Sequence, residues 1–260
     1  MLEGKTAVVT GSTSGIGLAT AEVLAEQGIN LVMHGLMSDE EGNALVQSFA
    51  EKYRIKAIFD GANLMDSEAI ATFMKRAINE MGSIDILVNN AGIQHTERVE
   101  TFPIAKWDAI MSINLSSAFH TIQQALPDMQ KNGWGRIINI ASVHGLVASV
   151  NKSAYCAAKH GIIGLTKVVA MENAELGITA NAICRGFVDT PLITEQIQQM
   201  ADRDGIDFAT AKRQLVIQKQ SLPDMMEPRQ IGEYVLFLCS STARMITGAS
   251  LTMDGGWTAQ

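Results

Sequence analysis

Short apolar, β-branched runs alternate along this chain with longer stretches in which apolar residues recur every three to four positions. The runs Ala7–Thr10, Asn30–His34, Lys56–Phe59, Ile84–Asn89, Gly135–Ile140, Thr179–Ile183 and Ser250–Met253 have the length and composition of strands buried on both faces. Amphipathic stretches near 18–27, 39–52, 67–81, 103–131, 153–176 and 229–239 read as helices laid between them. Strand–helix–strand repetition of this kind predicts an α/β fold: a doubly wound parallel sheet of seven strands, with right-handed crossovers and helices on both faces. One segment breaks the rhythm. Residues 191–226 are helical in pattern but inserted between a strand and the last helix, at the sheet edge where ligands bind. They are read as a substrate lid on a single domain, 1–260, because no linker, repeat or low-complexity tract divides the chain.

Composition narrows the function. Apolar residues make up 47% and charged residues 18% of 260, the profile of a globular chain with a sizeable core. The net charge of −7 and the scattered lysines and arginines argue against a nucleic-acid surface. No apolar run reaches the roughly 18–20 residues that span a bilayer, and the N-terminus enters a strand at once, with no signal-peptide pattern. The cysteines, 156, 184 and 239, are odd in number and lack metal-ligand spacing, so the expectation is a reduced, cytoplasmic protein with no metal. Cys156 reads as a buried, inert thiol.

Two features carry chemistry. The first strand runs into Gly11-Ser-Thr13-Ser14-Gly15-Ile16-Gly17 and then a helix, the order that makes a phosphate cradle: glycines permit a tight turn, and the helix N-terminus presents free N–H groups to a pyrophosphate. The second is Tyr155 with Lys159 one helical turn on, and Ser142 upstream. A phenol of pKa about 10 is a poor base, and bringing it towards neutrality takes about 4 kcal/mol, which a nearby ammonium group and a cationic ring could share. Together they suit alcohol–ketone chemistry on a Rossmann-like fold, with a dinucleotide as hydride acceptor.

With Asn89-Asn90-Ala91-Gly92 and Asn114 between them, these motifs fall in one order along the whole chain, which on that account resembles the short-chain dehydrogenase/reductase family. The resemblance implies a tetrad. Tyr155 is acid and base, Ser142 polarises the substrate oxygen, Lys159 lowers the phenol pKa and holds the nicotinamide ribose, and Asn114 supports a water that links Lys159 to solvent. It implies cofactor contacts at Gly11, Thr13, Ser14, Gly15, Ile16 and Gly17, at Leu36, Asn63 and Leu64, at Asn90, Ala91 and Gly92, at Tyr155 and Lys159, and at Val188 and Thr190. Gly92-Ile-Gln94-His95-Thr96, Ser142-Val-His144, Lys152 and the ending Asp254-Gly-Gly-Trp257-Thr258 are most similar to a branch of the family that interconverts D-3-hydroxybutyrate and acetoacetate with NAD. There Gln94, His144, Lys152 and Gln196 grip the carboxylate, and Trp257 shapes the pocket beside Ser142 and Tyr155. The resemblance also implies a homotetramer, and a partner that is a small hydroxy or keto acid.

NADP readers place an arginine or lysine after the second strand, and none occurs between Asn30 and Lys52, so NAD is expected by at least about tenfold. His34 is expected to point towards the ribose. Asn63 stands where relatives carry an aspartate near the adenine. Two departures stand out. Cys184-Arg185-Gly186-Phe187 replaces the family's usual Pro-Gly, and Phe187 takes the place of a tryptophan. Arginine lifts a rigid φ restraint and adds a charge near the pyrophosphate or the pocket mouth. Two other readings stay open at this point: a family member acting on 3-oxoacyl or sugar substrates, and a catalytically silent NAD-binding scaffold.

Overall fold

The computed structural model describes residues 2–259, apart from the side chain of Leu192. Seven strands form one sheet: β1 Thr6–Val9, β2 Asn30–His34, β3 Ala57–Asp60, β4 Ile86–Asn89, β5 Gly135–Ile140, β6 Ile178–Arg185 and β7 Ser250–Met253. Their order is β3-β2-β1-β4-β5-β6-β7, and every neighbouring pair is parallel. The order reverses between β1 and β4, so a crevice opens at their carboxyl ends, the place where such sheets bind ligands. β1, β4 and β5 are buried along their whole length, as strands covered on both faces must be.

The helices are α1 Gly15–Ala25, α2 Asp39–Tyr53, α3 Ser67–Met81, α4 Ile104–Met111, α5 Ser117–Asn132, α6 Ser153–Asn173, α7 Pro191–Asp204, α8 Phe208–Ile217 and α9 Pro228–Cys239. One large core lies between the sheet and the layer of α1, α2 and α9. A second lies against α3, α5 and α6.

Most elements stand within two residues of their expected places, and the exceptions have physical causes. The strand expected from Ile84 starts at Ile86, because Asp85 turns its carboxylate back to the Thr6 N–H and the Lys5 ammonium, both at 2.9 Å. The single helix expected over 103–131 is two. Between α4 and α5 the chain widens into a π turn, Ser112–Ser116, in which the Ser117 N–H reaches back to the Ser112 carbonyl. That turn carries Asn114 and keeps it buried. Such bulges recur at functional sites because they re-aim a side chain without ending the helix. The inserted segment is a helical hairpin, α7 and α8, with a small core of its own built on Ile197, Ala201 and Ala211. Its base is pinned where Asp189 donates to Met226 and Met226 to Phe187, at 2.8 and 3.1 Å. Among the described residues, no helix is long and apolar enough to cross a membrane.

Candidate active site

Backbone geometry builds the first half of the site. Gly11 adopts φ +64°, which favours glycine, as β1 turns towards α1. Gly17 admits no side chain at all: a Cβ there would lie 2.0 Å from the Gly11 carbonyl oxygen. The turn is held from below. The Thr10 hydroxyl accepts the N–H groups of Asn90 and Ala91 at 3.0 and 3.1 Å, and the Asn90 amide donates to the carbonyls of Thr10 and Gly11 at 3.0 Å each.

A cleft of about 390 Å³ opens above this turn. Of the expected cofactor contacts it is lined by Gly11, Thr13, Ser14, Gly15 and Ile16, by Leu36, Asn63 and Leu64, by Asn90, Ala91 and Gly92, and by Thr190. Gly17 lies beneath the turn and Val188 lines the neighbouring cavity, so neither borders the cleft. Gly35, which the sequence reading passed over, lets the Leu36 loop lie flat on Thr13, since a Cβ there would come within 2.3 Å of the Thr13 hydroxyl. His34 is a correction. It borders the cleft as expected, but it is buried and neither ring nitrogen is left free for a ribose. Its Nδ1 accepts from the Gly11 N–H at 3.2 Å and its Nε2 pairs with the Ala62 carbonyl at 2.9 Å, so it pillars the turn as a neutral ring. Burial lowers its pKa, in keeping with that role. The Asn63 oxygen accepts from the Met65 N–H at 3.0 Å and shapes the loop at the adenine end. A dinucleotide fits the cleft on this chain's own terms: Gly17 and Gly35 leave no space for side chains, and among the described residues that line the cleft from Leu36 to Thr190 there is no carboxylate to repel a pyrophosphate.

The second half is built by β5, β6 and α6. β5 ends at Ile140, and the short turn after it carries Ser142 and His144. A Cβ at Gly145 would meet the Lys159 carbonyl at 2.5 Å, so glycine lets this turn lie directly on α6. Tyr155 and Lys159 sit a turn apart on α6, both buried, with the Lys159 nitrogen 5.7 Å from the centre of the Tyr155 ring. That ammonium donates to the Ile140 carbonyl at 2.7 Å. Burial alone pushes the Tyr155 phenol up. Arg185, then Lys159, the Ser142 hydrogen bond and Lys152 more than offset it, and the pKa falls below the ordinary value.

Asn114 sits on its π turn with both ends of its amide on Ile93: it accepts the N–H and donates to the carbonyl, each at 2.8 Å. It therefore clamps the segment after β4 that leads to Gln94. That segment in turn pairs with the start of α6, where Glu97 donates to the Asn151 carbonyl at 2.9 Å, and this brings Gln94 and Lys152 to one cavity.

The cavity, about 410 Å³, is bordered by all of Gln94, Ser142, His144, Lys152, Tyr155, Gln196 and Trp257. Trp257 is set by Asp254, whose carboxylate accepts from the Gly256 and Thr258 N–H groups at 3.0 and 2.8 Å. His144 has a different place from that of a free carboxylate donor. Its Nδ1 faces the Ser142 oxygen at 3.2 Å and its Nε2 the Ser149 oxygen at 2.9 Å. Burial, followed by the charges of Lys152, Arg185 and Lys219, brings its pKa down to about 4, so at neutral pH it is an uncharged prop for Ser142. Phe187, expected to affect pocket size, lines the cavity, while Thr96, Ile193 and Gln199 are wall residues that the sequence did not single out. Gln199 was legible as the neighbour of Gln196 one turn on along α7. Arg185, expected near the pyrophosphate or the pocket mouth, borders both the cavity and the cleft. Cys156 is half-exposed, not buried. Among the described residues, no three His, Cys, Asp or Glu side chains converge on a metal position.

The comparisons with known proteins meet this geometry. A model described as short chain dehydrogenase matches residues 5–201. The chain belongs to the short-chain dehydrogenase family. It is an oxidoreductase by that membership. It is 50% identical over 260 residues, all of both chains, to a D-beta-hydroxybutyrate dehydrogenase of Cupriavidus necator. A protein of the same name from Rhizobium meliloti is 48% identical over 256 residues, 98% of this chain and 99% of that one. A 3-oxoacyl-(acyl-carrier-protein) reductase of Aquifex aeolicus is 36% identical over 98% of each chain. Among solved structures, L-sorbose reductase from Gluconobacter frateurii, complexed with NADPH and L-sorbose, superposes with a TM-score of 0.94 at 25% identity, covering 100% of this chain and 98% of its own.

The neutral His144 makes a prediction about acid. Its folded pKa lies below the unfolded one, so the stability it contributes is complete above the ordinary value of 6.5 and is lost as pH falls towards about 4. Up to about 3 kcal/mol is at stake. Urea unfolding followed from about pH 7 to pH 4.5 should show a shallower acid loss in His144→Gln than in the wild type. Identical slopes would remove His144 as the cause.

Proposed function

We propose that this protein interconverts D-3-hydroxybutyrate and acetoacetate, with NAD as the hydride acceptor. One observation carries the reading: the acid–base pair Ser142–Tyr155 shares one cavity with the Lys152 cation and the amides of Gln94 and Gln196. A small carboxylate leaving water needs a cation and donors of this kind, whereas an ester or thioester has no use for them. The names of the relatives at 50% and 48% identity support the same substrate.

The chain's own residues divide the work. Lys152, Gln94 and Gln196 hold the carboxylate and so fix which face of the carbinol carbon is presented. The Ser142 hydroxyl, set by His144, donates to the substrate oxygen. Tyr155 takes the hydroxyl proton in oxidation and returns it in reduction, and the surrounding cations favour its phenolate against the cost of burial. Lys159, anchored on the Ile140 carbonyl, carries the charge one turn along α6 from Tyr155. The glycine turn, Asn90 and Thr190 would hold the dinucleotide, which supplies the hydride acceptor for oxidation and, when reduced, the donor for the return.

NAD rather than NADP is supported by the Leu36 loop. The residue is 83% exposed, no lysine or arginine stands beside it, and Asp39, Glu40 and Glu41 begin α2 just beyond. A 2′-phosphate there would find like charge and no partner. The hairpin α7–α8, which contributes Gln196, is read as a lid. Exposed apolar side chains on α5 and α6 (Phe119, Val168 and Met171) and the stacked Tyr234–Phe237 pair on α9 support a homotetramer. The three free cysteines suit the cytoplasm.

Steady-state assays test the core of this. The D acid with NAD should be oxidised far faster than its L form or its methyl ester, and faster with NAD than with NADP by at least about tenfold. Tyr155→Phe should lower kcat by orders of magnitude while NAD affinity holds, and Lys152→Ala should penalise acids more than neutral ketones. Equal rates on acid and ester, or an active Tyr155→Phe, would discard the reading. Hydrogen exchange in 191–226 should slow when NAD and acetoacetate analogues bind, and no protection there removes the lid. Sedimentation should give an assembly of 28.0 kDa chains, and a monomer at assay concentration removes the tetramer.

A further inference from the structure

Two basic side chains border the substrate cavity, and the proposed substrate has one carboxylate. Lys152 touches that cavity alone. Arg185, at the end of β6, is the only described residue that borders the substrate cavity, the cofactor cleft and the small cavity of about 60 Å³ between them. The two cations therefore flank the cavity differently, Lys152 away from the cofactor and Arg185 beside it. The Tyr155 hydroxyl lies within the electrostatic range of both.

Arg185 is poorly satisfied. Its Nε is buried with no partner, and the hydrogen bond it does make, at 3.1 Å, goes from Nη1 to the carbonyl of its own neighbour Gly186. Among the described residues it forms no ion pair. The one carboxylate on the cavity wall, Glu195, is exposed on α7 and pairs with neither cation. A guanidinium half out of water, with a buried Nε left unpaired, is stabilised by an anion that enters with the ligand. There is space for one. The cavity's 410 Å³ lies in the range that holds ligands well above four carbons. The wall next to Arg185 is Phe187, tilted on Trp257 with ring centres 5.0 Å apart, which is apolar and competes for no charge.

We propose that this site also takes 3-hydroxy acids with a second carboxylate, and that Arg185 holds it, on the side of the carbinol carbon opposite the carboxylate held by Lys152. The inference rests on the reading that Tyr155 oxidises a 3-hydroxy acid. The reaction is unchanged in kind. The carbinol C–H leaves as hydride to NAD, the O–H proton goes to Tyr155, and the products are a 3-oxo diacid and NADH. Arg185 sets specificity and moves no proton.

The test compares 3-hydroxybutyrate with 3-hydroxyglutarate, a diacid whose two arms are chemically identical. Each is assayed with wild type, Arg185→Met and Arg185→Lys, and NAD dissociation constants are measured by titration calorimetry. Arg185→Met should lower the diacid-to-monoacid ratio of kcat/KM by at least about tenfold, mainly through the diacid KM, and Arg185→Lys should restore part of it. The NAD dissociation constant should change much less than that ratio. A wild type that oxidises 3-hydroxybutyrate but not the diacid overturns this inference and leaves the proposed function standing. So does an unchanged ratio in Arg185→Met, or a loss of NAD affinity that accounts for the whole effect and assigns Arg185 to the cofactor. Oxidation of neither acid overturns both readings.

Discussion

The site depends on a contest between burial and charge at one phenol. Tyr155 is shielded from water, which by itself makes its ionised form costlier. Three cations and a hydroxyl reverse that outcome, and they come from four separate places: Arg185 at the end of β6, Lys159 on α6, Ser142 after β5 and Lys152 at the head of α6. Gathering that many positive groups in one small volume is itself unfavourable. Lys152 and Lys159 both have their pKa values lowered, by burial first, and Arg185 lowers each further. An anionic substrate relieves the same repulsion, so carboxylate recognition and base activation are two faces of one electrostatic arrangement.

The parallel sheet makes the arrangement rigid. All seven strands point the same way, so β1, β4, β5 and β6 deliver the glycine turn, the Asn90 segment, Ser142 and Arg185 to one edge. Close contacts then remove slack. Gly17 against Gly11 and Gly145 against the Lys159 carbonyl each fit only without a side chain, and the Asn114 clamp on Ile93 ties the α4–α5 layer to the same edge.

Much of this was legible in the sequence because it is written in local patterns. The strand positions, the glycine turn and the i, i+4 spacing of Tyr155 and Lys159 follow from periodicities of two and 3.6 residues. That Gln94, His144, Lys152 and Gln196 should gather was a matter of resemblance, and the fold brings all four to the border of one cavity. What local pattern could not give was partnership across the chain. His34 looked available for ribose until Gly11 and Ala62 took both its nitrogens. His144 looked like a donor to substrate until Ser142 and Ser149 engaged it. The π turn at 112–116 leaves no signature in an amphipathic stretch. Arg185 was visible as a departure, but its reach into three cavities belongs to tertiary structure.

The most direct measurement is the acidity of that one phenol. Titration of tyrosinate absorbance, taken as the difference between the wild type and Tyr155→Phe, isolates it from the other two tyrosines, Tyr53 and Tyr234. The account predicts a step below the ordinary phenol value of about 10, moving up when Arg185 or Lys159 is neutralised. A step at or above that value in the wild type would mean that burial wins over the cations, and the acid–base role of Tyr155 would have no physical basis.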